Sequence, residues 1–319
     1  MPRILDQPTI LQLLKRGKTA DLLQYIERSF TAYSSGAAMV PPVGTLMLEE
    51  PRGDVHIKYG FIKGEPYYVI KIASGFYDNP ALGLPSSNGL NLVFSQKTGV
   101  LECILLDEGY LTDLRTALAG AVVAKHFGPQ QVKKIGIVGT GIQARLQLEN
   151  LQLITDCREV LVWGRSAKSL QRYQDEMTAK GYQVTTTQDA ALLNAACNLI
   201  ITATPSTKPI LPPKPLLPGT LVIAMGADTP GKQELAPEVL QQADLIVLDS
   251  RSQCIHHGEI HKPWADGLLE EAQLAEIGEL ISSGRSRPRA EDIIVADLTG
   301  IATQDMLISA FVLEQVATT

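Results

Sequence analysis

With 319 residues, 45% hydrophobic and 19% charged, the chain is long enough for two cores and too apolar to be disordered. A formal net charge of -6 without any basic run argues against a nucleic-acid partner. Met1-Pro-Arg-Ile-Leu-Asp-Gln7 lacks a signal-peptide core, no stretch nears the ~20 apolar residues of a membrane span, and Cys103, Cys157, Cys197 and Cys254 lack Cys-x-x-Cys spacing, so a reduced, cytoplasmic protein without membrane contact is expected.

In chain order, Thr19-Ala-Asp21 can cap a helix on which Leu22, Leu23, Ile26 and Phe30 recur at helical spacing. Pro41-Pro42 and Pro51-Arg-Gly-Asp54 punctuate short strands, Tyr67 to Ala73 forms another, and Asn79 to Gly89 reads as a loop. Leu90, Leu92 and Phe94 alternate into a turn at Lys97-Thr-Gly99, and Val100 to Leu106 completes a hairpin. A helix dense in small residues follows from Thr112 and ends at Gly128-Pro129, which marks a boundary. Beyond it, strands at Lys134–Val138, Glu159–Trp163, Gln183–Thr186, Leu199–Ala203, Leu221–Ala224 and Leu245–Leu248 alternate with helices. That order predicts an α/β fold with a Rossmann-type doubly wound parallel sheet beside a mixed α+β domain. The expected division is a substrate-binding and dimerisation domain, 1–127 completed by 297–319, and a dinucleotide-binding domain, 128–296. A strand at Ile293–Asp297 and a helix from Gln304 to Val316 are expected to return to the first domain.

The segment Ile135-Gly-Ile-Val-Gly139-Thr140-Gly141-Ile142-Gln143-Ala144 reads as a buried strand entering a helix, Gln143 to Leu153, through glycine. Gly139 allows the tight turn, Gly141 lets the backbone approach a pyrophosphate, and Ala144 lets the helix sit against the strand. The open N–H groups at that helix start suit phosphate. After the second strand, an NAD site usually carries an acidic residue for the ribose, but Val162-Trp-Gly-Arg165-Ser166-Ala-Lys168 has none. Arg165, Ser166 and Lys168 suit a 2′-phosphate, so NADP(H) is expected to be preferred, with NAD(H) possible. Thr202 and Thr204, and Met225 and Gly226, end later strands on the same edge.

Lys71 interrupts an otherwise apolar strand, either as a buried, paired ammonium or as an edge lysine whose head reaches water. Arg115 falls in the first turn of the predicted helix, where a cation opposes the helix dipole unless it holds an anion or pairs with Asp107 or Glu108. Asp228 follows a buried strand on the edge where cofactor and substrate meet, suited to proton transfer or to ordinary turn chemistry. His256, His257, Glu259 and His261 have no zinc-type spacing, and no metal is expected.

Together these segments resemble the ornithine cyclodeaminase/mu-crystallin family over nearly the whole chain. The matching pieces are Val69-Ile-Lys71, Gly83-Leu-Pro85, Asp113-Leu-Arg115-Thr-Ala with Ala119-Gly, Gly139 to Ala144, Met225 to Leu235, Gly258-Glu-Ile260 and Asp297-Leu-Thr299-Gly300-Ile-Ala-Thr-Gln304-Asp305. The resemblance implies a homodimer built through the N-terminal domain and a small amino- or imino-acid substrate facing the nicotinamide. It implies that Lys71 and Arg115 bind and orient the substrate, that Asp228 is the acid/base carboxylate, and that Thr299 and Gly300 line the substrate site. The chain departs from the family in Ala38 to Val43, which carries no charge, and in having His56 and Lys58 where cyclodeaminases hold a distal amine with a carboxylate and a methionine. His56 and Lys58, two apart on a strand, face one side and disfavour a diamino acid. The expected activity is therefore NAD(P)-dependent reduction of a small α-imino acid or the reverse. The alternatives are cyclodeamination of ornithine or a related diamino acid, and a non-catalytic crystallin-like protein that binds NADPH and a ligand.

Overall fold

The computed structural model describes residues 1–76 and 78–317, so positions 318 and 319 of the expected 297–319 completion lie outside the described residues. The chain divides into two compact units, Met1–Arg115 with Ile301–Thr319, and Thr116–Gly300.

The first unit opens with β1 (Arg3–Asp6), α1 (Gln7–Arg16) and α2 (Thr19–Ser34). Asp6 caps α1 by accepting from the Thr9 N–H at 3.0 Å. There follow β2 (Ala38–Met39), β3 (Gly44–Leu48), β4 (Gly53–Ile62), β5 (Tyr67–Phe76), β6 (Ser87–Ser95) and β7 (Leu101–Leu106). The sheet order is β1-β7-β6-β5-β4-β2, with β3 also on β4; β1 and β7 pair parallel and the other pairs are antiparallel.

Alternation divides the two faces of this sheet. Val69, Lys71, Asn91, Val93, Cys103 and Leu105 are buried, and the helix Ala302–Ala317 packs against β4, β5, β6 and α2. Every residue of that helix from Ala302 to Leu313 is buried, as expected of a helix with neighbours on all sides. The opposite face carries apolar cross-strand rows, Tyr59–Ile70–Leu92–Ile104–Ile4 and Ile57–Ile72–Leu90. These residues are half-buried or exposed.

Helix α3 (Tyr110–Phe127) spans the division between the units. The second unit continues with β8 (Ile135–Val138), α4 (Ile142–Asn150), β9 (Glu159–Trp163), α5 (Ala167–Ala179), β10 (Gln183–Thr187), α6 (Ala191–Ala196), β11 (Leu199–Thr202) and β12 (Leu221–Ala224). It ends with α7 (Pro237–Gln241), β13 (Leu245–Leu248), α8 (Arg251–His257), α9 (His261–Ala265), β14 (Leu274–Glu276), α10 (Ile277–Ser282) and β15 (Ile294–Asp297), after which the helix Ala302–Ala317 is α11. All eight strands are parallel, in the order β10-β9-β8-β11-β12-β15-β13-β14. Each of the six strands predicted beyond Gly128 is present. In β8, β11, β12 and β15 every residue is buried, the pattern of strands covered on both faces.

One strand overturns the expectation. β15 lies between β12 and β13 in the second sheet, so only α11 belongs with the first unit. Its fully apolar-to-acidic Ile294-Val-Ala-Asp297 suits a doubly covered parallel sheet better than a half-open antiparallel one.

Candidate active site

In the second unit, β8 has β9 on one side and β11 on the other, with the chain running outward in both directions. That is the topological switch point, where an open α/β sheet binds ligands beyond its carboxyl ends. Gly139 follows β8 with φ +117°, and a Cβ there would lie 2.9 Å from the Ala203 carbonyl oxygen, so only glycine fits. Gly141 is the N-cap of α4; it gives no side-chain cap to the helix, and a Cβ there would meet nothing within 4 Å. The open N–H groups and clear space are what a pyrophosphate requires.

Thr140 and Ile142 flank Gly141, and Ile142 is exposed. Ala144 is fully buried and its carbonyl accepts from the Tyr173 hydroxyl at 2.9 Å, which fixes α4 against α5. Gln143 lies near Gln147, which donates to the Thr116 carbonyl at 2.9 Å and reaches Met225 Sδ at 2.9 Å. Past β9, Arg165, Ser166 and Lys168 are exposed, and Ser166 caps α5. Thr202 ends β11 and Thr204 lies two residues beyond it, while Met225 and Gly226 follow β12. The residues expected to hold nucleotide thus follow four consecutive strands, β9-β8-β11-β12. Both threonine hydroxyls, however, bond Glu234, which leaves backbone to face a ligand.

In the first unit, Lys71 is 3% exposed on a strand flanked by β4 and β6, which excludes an edge lysine with its head in water. Its Nζ lies 3.2 Å from Asp305 Oδ2. Arg115 also differs from expectation. Because α3 starts at Tyr110, Arg115 is in the second turn, and the helix-dipole cost does not apply. Its partners are Asp305 Oδ1 at 3.1 Å and Gln304 Oε1 at 2.8 Å, not Asp107 or Glu108. Asp107 instead accepts from the Leu111 N–H at 2.8 Å and from Asn91 Nδ2 at 3.4 Å.

Lys58 and Lys71 are direct partners in the β4–β5 register, so both project from the face that α11 covers. His56 lies on that face as well, with its Nε2 3.3 Å from Asp54 Oδ1. Burial pulls Lys71 down to about 7, against the attraction of Asp305 and with the repulsion of Arg115 and Lys58. Burial works to raise Asp305, but Lys71, Arg115 and Lys58 outweigh it and hold the carboxyl below its ordinary value. Burial pushes Asp107 up to about 6. Three basic groups therefore gather around one carboxylate that they hold ionised.

The remaining expected residues lie in the second unit. Asp228 is half exposed beyond β12, with Lys232 Nζ 2.6 Å from its Oδ1. Thr299 Oγ1 donates to Asp249 Oδ1 at 2.9 Å, and the Gly300 N–H donates to Asp249 Oδ2 at 2.6 Å. His256 and His257 end α8, His261 begins α9, and its Nδ1 lies 2.6 Å from the Ile255 carbonyl oxygen. Buried Glu259 accepts from the backbone N–H groups of Glu234 and Leu235. Among the described residues, no group of three or more His, Cys, Asp or Glu could hold a metal ion.

Sequence reasoning missed Asp305, Gln304 and Glu234 as site residues. Asp305 had a signal: a buried lysine and arginine require a carboxylate partner.

These features define a two-unit α/β protein, with a parallel sheet shaped for a dinucleotide and a mixed sheet bearing a buried, cation-rich cluster. The chain belongs to the ornithine cyclodeaminase/mu-crystallin family, whose profile matches residues 9–319. It is 37% identical over 299 residues to an uncharacterized cyclodeaminase of Sinorhizobium fredii, covering 92% of this chain and 90% of that protein. It is 28% identical over 293 residues to the iminosuccinate reductase of Paracoccus denitrificans, covering 91% and 89%. Among solved structures, an archaeal alanine dehydrogenase dimer with bound NAD has a TM-score of 0.90 at 30% identity, covering 99% of this chain and 96% of that one. The protein is an enzyme of this family. Among the described residues, no helix is long and apolar enough to cross a membrane.

Proposed function

We propose that the enzyme is a pyridine-nucleotide-dependent oxidoreductase that reduces a small α-imino acid to the amino acid, or runs the reverse. The observation that carries this reading is the convergence of two buried basic side chains, Lys71 and Arg115, on the single carboxylate of Asp305, with Lys58 opposite Lys71 on the sheet. Two buried basic groups that share one carboxylate are completed at least cost by a second anion, and a substrate carboxylate supplies one. Arg115 and Lys71 would hold and orient that carboxylate. Reduction adds a hydride to the imine carbon and a proton to its nitrogen, and Asp228 would deliver the proton. A bound reduced pyridine nucleotide supplies the hydride.

The residues suit that cofactor: Gly139 and Gly141 leave room where a side chain would intrude, and α4 offers uncapped N–H groups. Exposed Arg165, Ser166 and Lys168, with no carboxylate beside them, favour NADP(H) over NAD(H). In this reading the second unit binds nucleotide, while the first binds substrate and forms a homodimer through its open apolar rows. A single subunit rarely leaves such a face uncovered. Thr299 and Gly300 would line the substrate site.

The test mixes enzyme and NADPH with a cyclic imino acid, an imine of an acidic keto acid, and ornithine. Oxidation of NADPH with either imine supports the reading. Ornithine consumption with ammonia release and no net nucleotide change would replace it with cyclodeamination, and binding without turnover would leave a crystallin-like protein. Sedimentation at micromolar concentration should give twice the chain mass.

A further inference from the structure

Glu234 is fully buried beside the candidate nucleotide edge. Its Oε1 accepts from the Thr204 N–H and hydroxyl, both at 2.7 Å. Its Oε2 accepts from the Thr202 hydroxyl at 2.7 Å and the Gly226 N–H at 2.9 Å. One carboxylate thus joins the end of β11 to the turn after β12, its neighbour in the sheet. The fit is tight, since a Cβ on Gly226 would lie 2.1 Å from the Thr204 carbonyl oxygen and 2.4 Å from Glu234 Oε2.

Glu234 is itself held. Its N–H donates to Glu259 Oε1 at 2.7 Å, and that of Leu235 donates to Glu259 Oε2 at 2.9 Å. Beside Glu259, the Ile260 N–H donates to Asp297 Oδ2 at 3.1 Å, at the end of β15. Three buried carboxylates therefore run along the strand ends, and each bonds backbone N–H groups of the next segment.

We infer that Glu234 is a positioning residue for the nucleotide, fixing the Thr202–Thr204 and Gly226 backbone without touching the ligand. The inference rests on the reading that the second unit binds a pyridine nucleotide. A carboxylate is required because four donors converge on two oxygens. A glutamine presents one oxygen and an NH2 group, so one backbone N–H would lose its acceptor, while the threonine hydroxyl beside it could turn to accept from the NH2. Burial pushes Glu234 up to about 7, against the pull of Thr202, Thr204 and Gly226.

The test measures Kd for NADPH, and for adenosine 2′,5′-bisphosphate as the probe of the Arg165–Lys168 end, in Glu234→Gln. NADPH binding should weaken about tenfold or more, the scale of one stranded donor, while the fragment changes by less than about twofold. Thr204→Val should weaken NADPH binding less than Glu234→Gln and be non-additive with it, whereas Thr204→Ser should restore affinity. Parallel weakening of both ligands, or unchanged NADPH affinity in Glu234→Gln, would overturn the inference. Should Glu234→Gln not fold, equal NADPH affinity in the Val and Ser variants at 204 would do the same. If the unaltered protein binds no dinucleotide, the nucleotide reading itself falls, and this role falls with it.

Discussion

Lys58 and Lys71 stand directly opposite each other on adjacent antiparallel strands. Like charges in that relationship destabilise a sheet by a few tenths to about 1 kcal/mol, and here one of them is buried. The arrangement makes sense when an anion binds nearby. Lys58→Met should therefore leave alanine-type imines as substrates but lower kcat/KM for an acidic imine about tenfold or more, the scale of a lost charge-assisted hydrogen bond. It should also raise activity on ornithine. Unchanged discrimination between acidic and basic substrates would remove Lys58 from specificity.

Asp305 joins Lys71 and Arg115 within the same cluster. Breaking a buried ion pair by removing one partner typically costs about 3–5 kcal/mol, because it strands a charge. Asp305→Asn leaves Arg115 without its ion-pair partner and removes the group that favours the charged form of Lys71, so it should lower denaturant stability on that scale. Carboxylates added to the buffer should restore part of the loss. A variant as stable as the parent would contradict the pairing.

Asp228→Asn should preserve nucleotide affinity while kcat drops about 10²-fold or more, as expected for a lost proton donor. Stopped-flow measurement of NADPH oxidation under saturating conditions checks this. Near-normal turnover would assign the proton to another group.

Arg165→Asp should erode or reverse the preference for NADPH over NADH. Arg165 and Lys168 are exposed just after β9, and under the NADP(H) proposal they meet the 2′-phosphate. Paired titrations decide it, and tighter NADH binding by the unaltered enzyme would refute the NADP(H) assignment.

The apo enzyme should be more stable near pH 5 than near pH 7.5. Burial raises Glu234 and Asp297 to about 7 and Asp107 to about 6. Between their ordinary values and these, the folded chain binds more protons than the unfolded one, so stability falls as pH rises through that window. Lys71, lowered to about 7, acts only above it, where it makes stability rise with pH. Thermal melts at fixed ionic strength should show the fall, and a flat profile from pH 5 to 7.5 would exclude it.

What the sequence disclosed was local. The Gly139-to-Ala144 turn is legible because strand, glycines and helix adjoin in the chain, and the same proximity exposes the missing carboxylate near Arg165. The partner of Arg115 was hidden because Asp305 lies 190 positions away. Glu234 reads as an ordinary loop acid until Thr202, 32 positions earlier, is seen beside it. β15 was misplaced because a short apolar strand does not say which sheet it will join. Lys71 was half legible: the strand showed that it was unusual, and only the neighbouring strands showed that it was not at an edge.

The first unit is assembled from two stretches of chain separated by the whole second unit. During synthesis, Lys71 and Arg115 emerge from the ribosome long before Asp305 exists. Until α11 arrives, the nascent sheet lacks both its neutralising carboxylate and the helix that covers that face. The first unit is therefore finished only after the second has been made, and a truncated polypeptide that folds a sound parallel sheet would still lack the carboxylate that Lys71 and Arg115 share.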